Sequence, residues 1–288
     1  MNDTGRAAYE RAQRAEAAGQ IEEATVAYDE LVAVDGLDIG AWSVRGLFLE
    51  RQRRFAEACE SFRRSTTIMP TYRDHYNAGN MLHALGRNDE ALVEYDAAIK
   101  CDPRQAEGWC NRGIVLFAMG RSDEARTSYD RALGLDDRSI KAYHCKAVLL
   151  QKLGDKGAIA ARRKLTELAP SAGAYIDLAN ALRNGLGAQI LWEPGGIEEQ
   201  IVEALERALE HPCDHKQRIW SWAEKLARLQ RIAHGRQSAR RAGVPIEDAP
   251  AIRRFLAVAE AGCELYPDDN WFAEKLGDAQ LLAAGLGQ

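Results

Sequence analysis

Five alanines, Ala24, Ala58, Ala91, Ala125 and Ala158, recur at intervals of 34, 33, 34 and 33 residues, each twelve residues before a proline or a turn-forming residue. One unit of that length cannot bury an apolar face by itself and must stack on its neighbours. The expected product is a row of helical hairpins with a long curved surface, a shape suited to holding partners.

Other columns keep step with the alanines. A small residue precedes each one (Ala12, Gly46, Gly79, Gly113, Ala147), and three positions after the small residue comes Leu49, Leu82, Leu116 or Leu150. Small against large lets the second helix of a hairpin approach the first closely. Four residues after the alanines come Tyr28, Phe62, Tyr95 and Tyr129, with Arg162 as the exception. That spacing is one helical turn, so alanine and ring face the same seam. Gly19, Gly86, Gly120 and Gly154 suit a helix end in the left-handed conformation, and Arg53 occupies that place in the second copy. Pro70, Pro103 and Pro170 stop the second helices, with Gly36 and Asp137 as substitutes.

These columns resemble the tetratricopeptide repeat, an aromatic followed by L-G, Tyr, Ala, Phe, Ala and Pro across about 34 residues. Trp42, Trp109 and Tyr143 match the first aromatic, whereas Ala8 and His75 do not. Arg11, Arg45, Arg112 and Lys146 stand where the family usually has Leu, and their stems are expected to lie along the seam with the charge in water. The resemblance implies an all-α fold, a right-handed α-solenoid of stacked helix-turn-helix hairpins. Residues 1–170 form five regular copies. Residues 171–288 form two degenerate hairpins, interrupted at about 184–196 and 231–250, and a terminal capping helix within a single continuous solenoid. Tyr175, Leu178, Ala179 and Leu182 read as a sixth first helix, and the run from Ile197 to Pro212 as its second.

The composition, 46% hydrophobic and 28% charged, is that of a soluble chain. No apolar run reaches the roughly 18 residues of a membrane span, and Met1–Ala18 lacks a signal-peptide core, so a cytoplasmic location is expected. Six scattered cysteines without a C-x-x-C pair read as free thiols. Charge is uneven. Residues 1–38 hold nine acids and three arginines, and 225–241 hold six basic residues and no acid. The two ends are suited to opposite partners, to each other in self-association, or to solvated faces.

In the family the first helices line the groove. The positions carried over are Val44 and Leu47 in the second copy, then Arg73, Tyr76, Asn77, Asn80 and His83 in the third. The fourth copy presents Cys110, Asn111, Ile114 and Phe117, and the fifth Lys141, His144, Cys145 and Val148. Amides that pair with a peptide backbone, flanked by apolar side chains, point to a protein or peptide segment as partner. The same asparagines serve equally well for hydrogen bonds between helices. Co-chaperones of this family clamp a C-terminal carboxylate with five residues, of which Asn80, Asn111 and Lys141 are present here. Tyr76 and Cys145 replace the other two, both cations, so an internal segment or a helix is the better ligand. His83, His144, Cys110 and Cys145 lie on three hairpins without a paired ligand motif, and no metal or cofactor is expected.

A second interface is expected on the edge from which both insertions emerge. Leu186, Ile190, Leu191 and Trp192 belong to the first, and Arg236, Arg240 and Arg241 to the second. The basic segment carries few aromatics, which argues against nucleic-acid recognition. Neither a phosphate loop nor H-E-x-x-H or G-x-S-x-G occurs, and the hairpins use up the length, so a non-catalytic scaffold or chaperone-like adaptor is the first reading. An inhibitor or immunity-type protein acting through the insertion edge, and a self-assembling scaffold, are the alternatives.

Overall fold

The computed structural model describes residues 3–185, 197–211, 256–260 and 270–284, together with Lys225, Arg228 and Ile232. All regular structure among them is helical. The elements are α1 (Asp3–Ala17), α2 (Ile21–Val34), α3 (Ile39–Arg51), α4 (Phe55–Ile68), α5 (Tyr72–Ala84), α6 (Asn88–Cys101) and α7 (Ala106–Ala118). They continue with α8 (Ser122–Leu135), α9 (Ile140–Lys152), α10 (Gly157–Leu168), α11 (Ala172–Gly185), α12 (Ile197–Glu210) and α13 (Asn270–Ala284). Two compact units divide the chain, Met1–Cys145 and Lys146–Gln288, with the division inside α9.

In the first unit α1/α2, α3/α4, α5/α6 and α7/α8 pair as hairpins, and α2 packs on α3, α4 on α5 and α6 on α7. The alanine and ring columns form the seam, with Ala24, Ala58, Ala91 and Ala125 and the rings of Tyr28, Phe62, Tyr95 and Tyr129 all buried. The small column explains why the helices come so close. A Cβ added at Gly46 would lie 2.6 Å from the Phe62 ring, at Gly79 2.8 Å from Tyr95, and at Gly113 2.5 Å from Tyr129. Those distances are inside van der Waals contact, so each ring occupies the space that a side chain would need.

The turns follow from backbone chemistry. Gly86 has a φ of +74°, its N–H bonds the His83 carbonyl, and the Arg87 N–H reaches back to Leu82. That pattern satisfies the last carbonyls of α5. Arg53 holds the same conformation with a φ of +59° and the same pair of bonds, to Glu50 and Leu49. Its side chain has a Cβ where the other copies have none. At the opposite end of each hairpin, Asp38 and Thr71 cap α3 and α5 by accepting from the N–H of Ala41 and Asp74.

The basic column departs from expectation. Arg45 Nε donates to Asp29 Oδ1 on α2 at 2.7 Å, and its Nη1 donates to Ser61 Oγ on α4 at 2.6 Å. Arg112 repeats this with Asp96 at 2.7 Å and Ser128 at 2.8 Å, and Arg11 pairs with Glu30. Arg45 and Arg112 bridge the second helices of adjacent hairpins, because the guanidinium fork reaches a partner on either side. Arg11 pairs within its own hairpin and stays 43% exposed. Between the second and third hairpins the polarity is redistributed. Ala78 takes the basic position, while Arg63 on α4 bonds Glu94 on α6 at 2.7 Å and His75 Nδ1 lies 2.8 Å from the same carboxylate. Burial pushes the Glu94 carboxyl up, but the hydrogen bonds from His75 and Arg63 outweigh it and hold the group below the usual carboxylate range.

In the second unit α11 pairs with α12 around Leu178, Ala179, Leu182, Ile201, Ala204 and Leu205, and α10 packs on α11. These two helices cover the residues read as the first and second helices of a further hairpin. Arg162, at the ring position, is buried and bonds Asp177 at 2.7 Å. Of the seventh pair, Ile219, Trp222, Ala223, Leu226 and Phe255 lie outside the described residues, whereas Ala259 is buried in a helical segment. The last helix, α13, falls in the stretch read as a terminal cap and leaves Leu281 76% exposed.

Three stability outcomes follow. Phe62→Ala leaves a void against Gly46 and lowers unfolding free energy by about 3–5 kcal/mol in urea titrations. Arg53→Gly relieves the left-handed conformation at an exposed site and raises it by about 0.5–1 kcal/mol. Because the Glu94 carboxyl is held low in the folded state, its contribution is present at neutral pH and is lost as pH falls through the folded value. The stability difference between the parent and Glu94→Gln is expected to shrink on acidification below about pH 4, near the ordinary Glu value; a difference that grows there contradicts the assignment.

Candidate functional site

The first helices of the first unit carry a line of side-chain hydrogen bonds running from hairpin to hairpin. Tyr95 Oη donates to Asn80 Oδ1 at 2.7 Å, and Asn111 Nδ2 donates to the same oxygen at 2.8 Å. Lys141 Nζ donates to Asn111 Oδ1 at 2.6 Å. One residue each from α5, α7 and α9 is thus joined, with a ring hydroxyl from α6. The inter-helix role considered for the asparagines is present, and Asn111 is buried. Yet the ladder leaves capacity unused. Among the described residues nothing accepts from Asn80 Nδ2, and exposed Lys141 has no carboxylate partner.

Beside the ladder lies a cavity of about 420 Å³ lined by Tyr76, Asn80, His83, Asn111, Ile114 and Lys141, together with Glu50, Phe55, Met81, Ala84 and Tyr95. Tyr76 stacks on Tyr72 with centroids 5.6 Å apart and meets Tyr95 edge-on at 6.1 Å, which fixes the ring wall. His83 is tied to its own hairpin, with Nδ1 2.9 Å from Asn88 Oδ1.

The remaining groove positions separate from this group. Val44 and Leu47 line a second cavity of about 430 Å³ with Tyr9, Gln13, Tyr28 and Arg51, where Glu16 accepts from both Tyr28 (2.9 Å) and Arg51 (2.8 Å). Arg73 and His144 are exposed, Asn77 and Phe117 half-buried, and none of the four lines either cavity. Cys110 is buried and Cys145 half-buried. Val148, also half-buried, belongs to the second unit.

Tyr95 was legible only as a seam residue. The signal for its second role is the hydroxyl, because Phe62 in the same column has nothing to donate. Met81, Glu50 and Phe55 carry no such signal. The second unit holds a cavity of about 480 Å³, absent from the sequence reading, between α10, α11 and α12; Tyr175, Leu182, Gln200 and Arg207 line it. Its polar groups are drawn into local pairs, Arg163 with Gln200 and Arg207 with Glu210 at 3.2 Å. The cavity beside the ladder is the stronger candidate, because among the described residues its Asn80 Nδ2 finds no acceptor and its Lys141 ammonium forms no ion pair, although Glu50 is also in the lining.

Leu186, Ile190, Leu191, Trp192, Arg236, Arg240 and Arg241 lie outside the described residues. Within the basic segment, Lys225 and Arg228 are buried, and Lys225 pairs with Glu206 at 3.3 Å, so these two do not belong to a solvated basic face. At the acidic end Glu10, Glu16, Asp29 and Glu30 are likewise paired with arginines. Among the described residues no group of three or more His, Cys, Asp or Glu is placed to hold a metal ion, and no helix is long and apolar enough to cross a membrane.

Sequence profiles described as tetratricopeptide repeat match residues 4–72 and 106–138, and one described as TPR repeat matches 79–120. No curated protein matches the chain in sequence. Among solved structures, a tetratricopeptide repeat protein from Parabacteroides merdae ATCC 43184 is similar over 97% of this chain and 100% of its own, at 14% identity and a TM-score of 0.58. PilW, described as a type IV pilus biogenesis factor, is similar over 76% of this chain and 99% of its own, at 19% identity and a TM-score of 0.57. MamA from Desulfovibrio magneticus RS-1 covers 58% of this chain and 96% of its own, at 20% identity and a TM-score of 0.54. At these identities the likeness is one of fold.

Proposed function

Since the chain belongs to the tetratricopeptide-repeat family, we propose that it is a non-catalytic scaffold or adaptor that holds a peptide or protein segment against the first helices of its first unit. The observation that carries this reading is the cavity beside the amide ladder, where six of the groove residues converge. Asn80 Nδ2 and the Lys141 ammonium supply donors for carbonyl oxygens of a bound backbone. Ile114 and Tyr76 supply apolar surface for one of its side chains, a division of labour common in peptide recognition. The ligand's terminal carboxylate is not required. Tyr76 and Cys145 occupy the places of two cations, and among the described residues Lys141 is the one Lys or Arg that lines the cavity.

Ile114 is half-buried and takes no part in the ladder, so it tests the cavity without dismantling it. Peptides selected from a random phage-displayed library against the intact chain are expected to bind at least about tenfold more weakly to Ile114→Asp, a loss of roughly 1.4 kcal/mol. Circular dichroism of the variant should match the parent. Selected peptides that bind both forms equally would place recognition elsewhere.

A further inference from the structure

The cavity beside the amide ladder is lined by opposite charges, from the first and the last of the helices that contribute to it. Lys141 stands on α9, and Glu50 stands in the last turn of α3, just before the left-handed residue Arg53. The Glu50 carbonyl accepts from the Arg53 N–H at 2.8 Å, which fixes the backbone at this point. Phe55, the first residue of α4, follows that turn into the same lining.

Four glutamates of the first unit are partly buried, Glu16, Glu50, Glu57 and Glu90. Three of them are held by arginines, Glu16 by Arg51 at 2.5 Å, Glu57 by Arg54 at 2.6 Å and Glu90 by Arg87 at 2.6 Å. Glu50 pairs with no cation among the described residues, and its sequence neighbours Arg51 and Arg54 are committed to those other carboxylates. Partial burial takes water from a carboxylate without supplying a counter-charge, so a cation entering the cavity is favoured beside it. Tyr76 lines the cavity too, held by its stack on Tyr72 at 5.6 Å. Aromatic faces attract a Lys or Arg cation and cover its aliphatic stem.

We propose, resting on the groove reading above, that the bound segment carries a lysine or arginine whose cation pairs with Glu50 and whose stem lies along Phe55 and Tyr76. The opposite charge of Lys141 then gives the segment a direction. Its basic residue lies on the α3 side, and the oxygen atoms that meet Asn80 and Lys141 lie toward α5 and α9. A segment with an acidic residue in the first place meets Glu50 with like charge and is rejected. The cavity around Val44 and Leu47 offers no such pairing, because its carboxylate, Glu16, already accepts from Arg51.

Phage-selected peptides that bind the parent and lose affinity for Ile114→Asp are the probes. They are expected to share a Lys or Arg at a fixed distance from an apolar residue. Replacing that basic residue by Gln in a synthetic peptide should weaken binding to the parent about tenfold in calorimetric titrations, the size of a hydrogen bond to a charged group. That arm needs no protein variant. On Glu50→Gln, or Glu50→Ala if the first does not fold, the two peptides should bind alike to within about twofold, as a double-mutant cycle requires of a direct pair. Glu50→Lys should instead favour the peptide whose basic residue is replaced by Glu. The pairing is overturned, with the groove reading left standing, by Ile114-sensitive peptides that share no basic residue. It is overturned equally by a basic residue whose loss has no effect on the parent, or the same effect on the parent and on the Glu50 variant. Peptides indifferent to Ile114→Asp overturn both.

Discussion

The first unit depends on a single contact repeated down the stack, a ring of the second helix seated on the bare backbone of the first. Gly46, Gly79 and Gly113 receive Phe62, Tyr95 and Tyr129 at distances that leave no volume for a methyl group. The helices of each hairpin close to the separation that this contact permits. The surrounding alanines and leucines then fall into full burial. Every later feature, including the line of groove residues, inherits its spacing from that closure, because packed interiors do not stretch to absorb a misplaced side chain.

Polar chemistry joins hairpin to hairpin. The Arg45 and Arg112 junctions lie two repeats apart and use the same carboxylate and hydroxyl partners, whereas the junction between them exchanges cation and anion, with Arg63 on one side and Glu94 on the other. A hairpin displaced by one position along the stack would set Arg against Arg or leave the buried Glu94 unpaired. Such redistribution gives each junction its own partner, which simple apolar stacking does not provide.

The groove geometry serves cohesion and, in the proposed reading, recognition as well. Asn80 and Asn111 spend their oxygens on neighbouring helices, and Asn111 also donates to Asn80, while Asn80 Nδ2 has no acceptor among the described residues. A wall fixed in this way loses little freedom on binding.

Periodicity alone determined the hairpins, because the alanine, glycine and ring columns are local patterns whose spacing fixes which residues share a face. The left-handed turns at Gly86 and Arg53, the helix ends before Pro70 and Pro103, and the pairing of α11 with α12 were legible for that reason. Partner choice across hairpins was not. Arg45 looked like a residue with its charge in water, and His75 like a failed aromatic. They found their partners 16 and 19 positions away, across helices whose rotation about their own axes no local pattern records. Stacking determined which faces meet, and with them the cavity and the amide ladder.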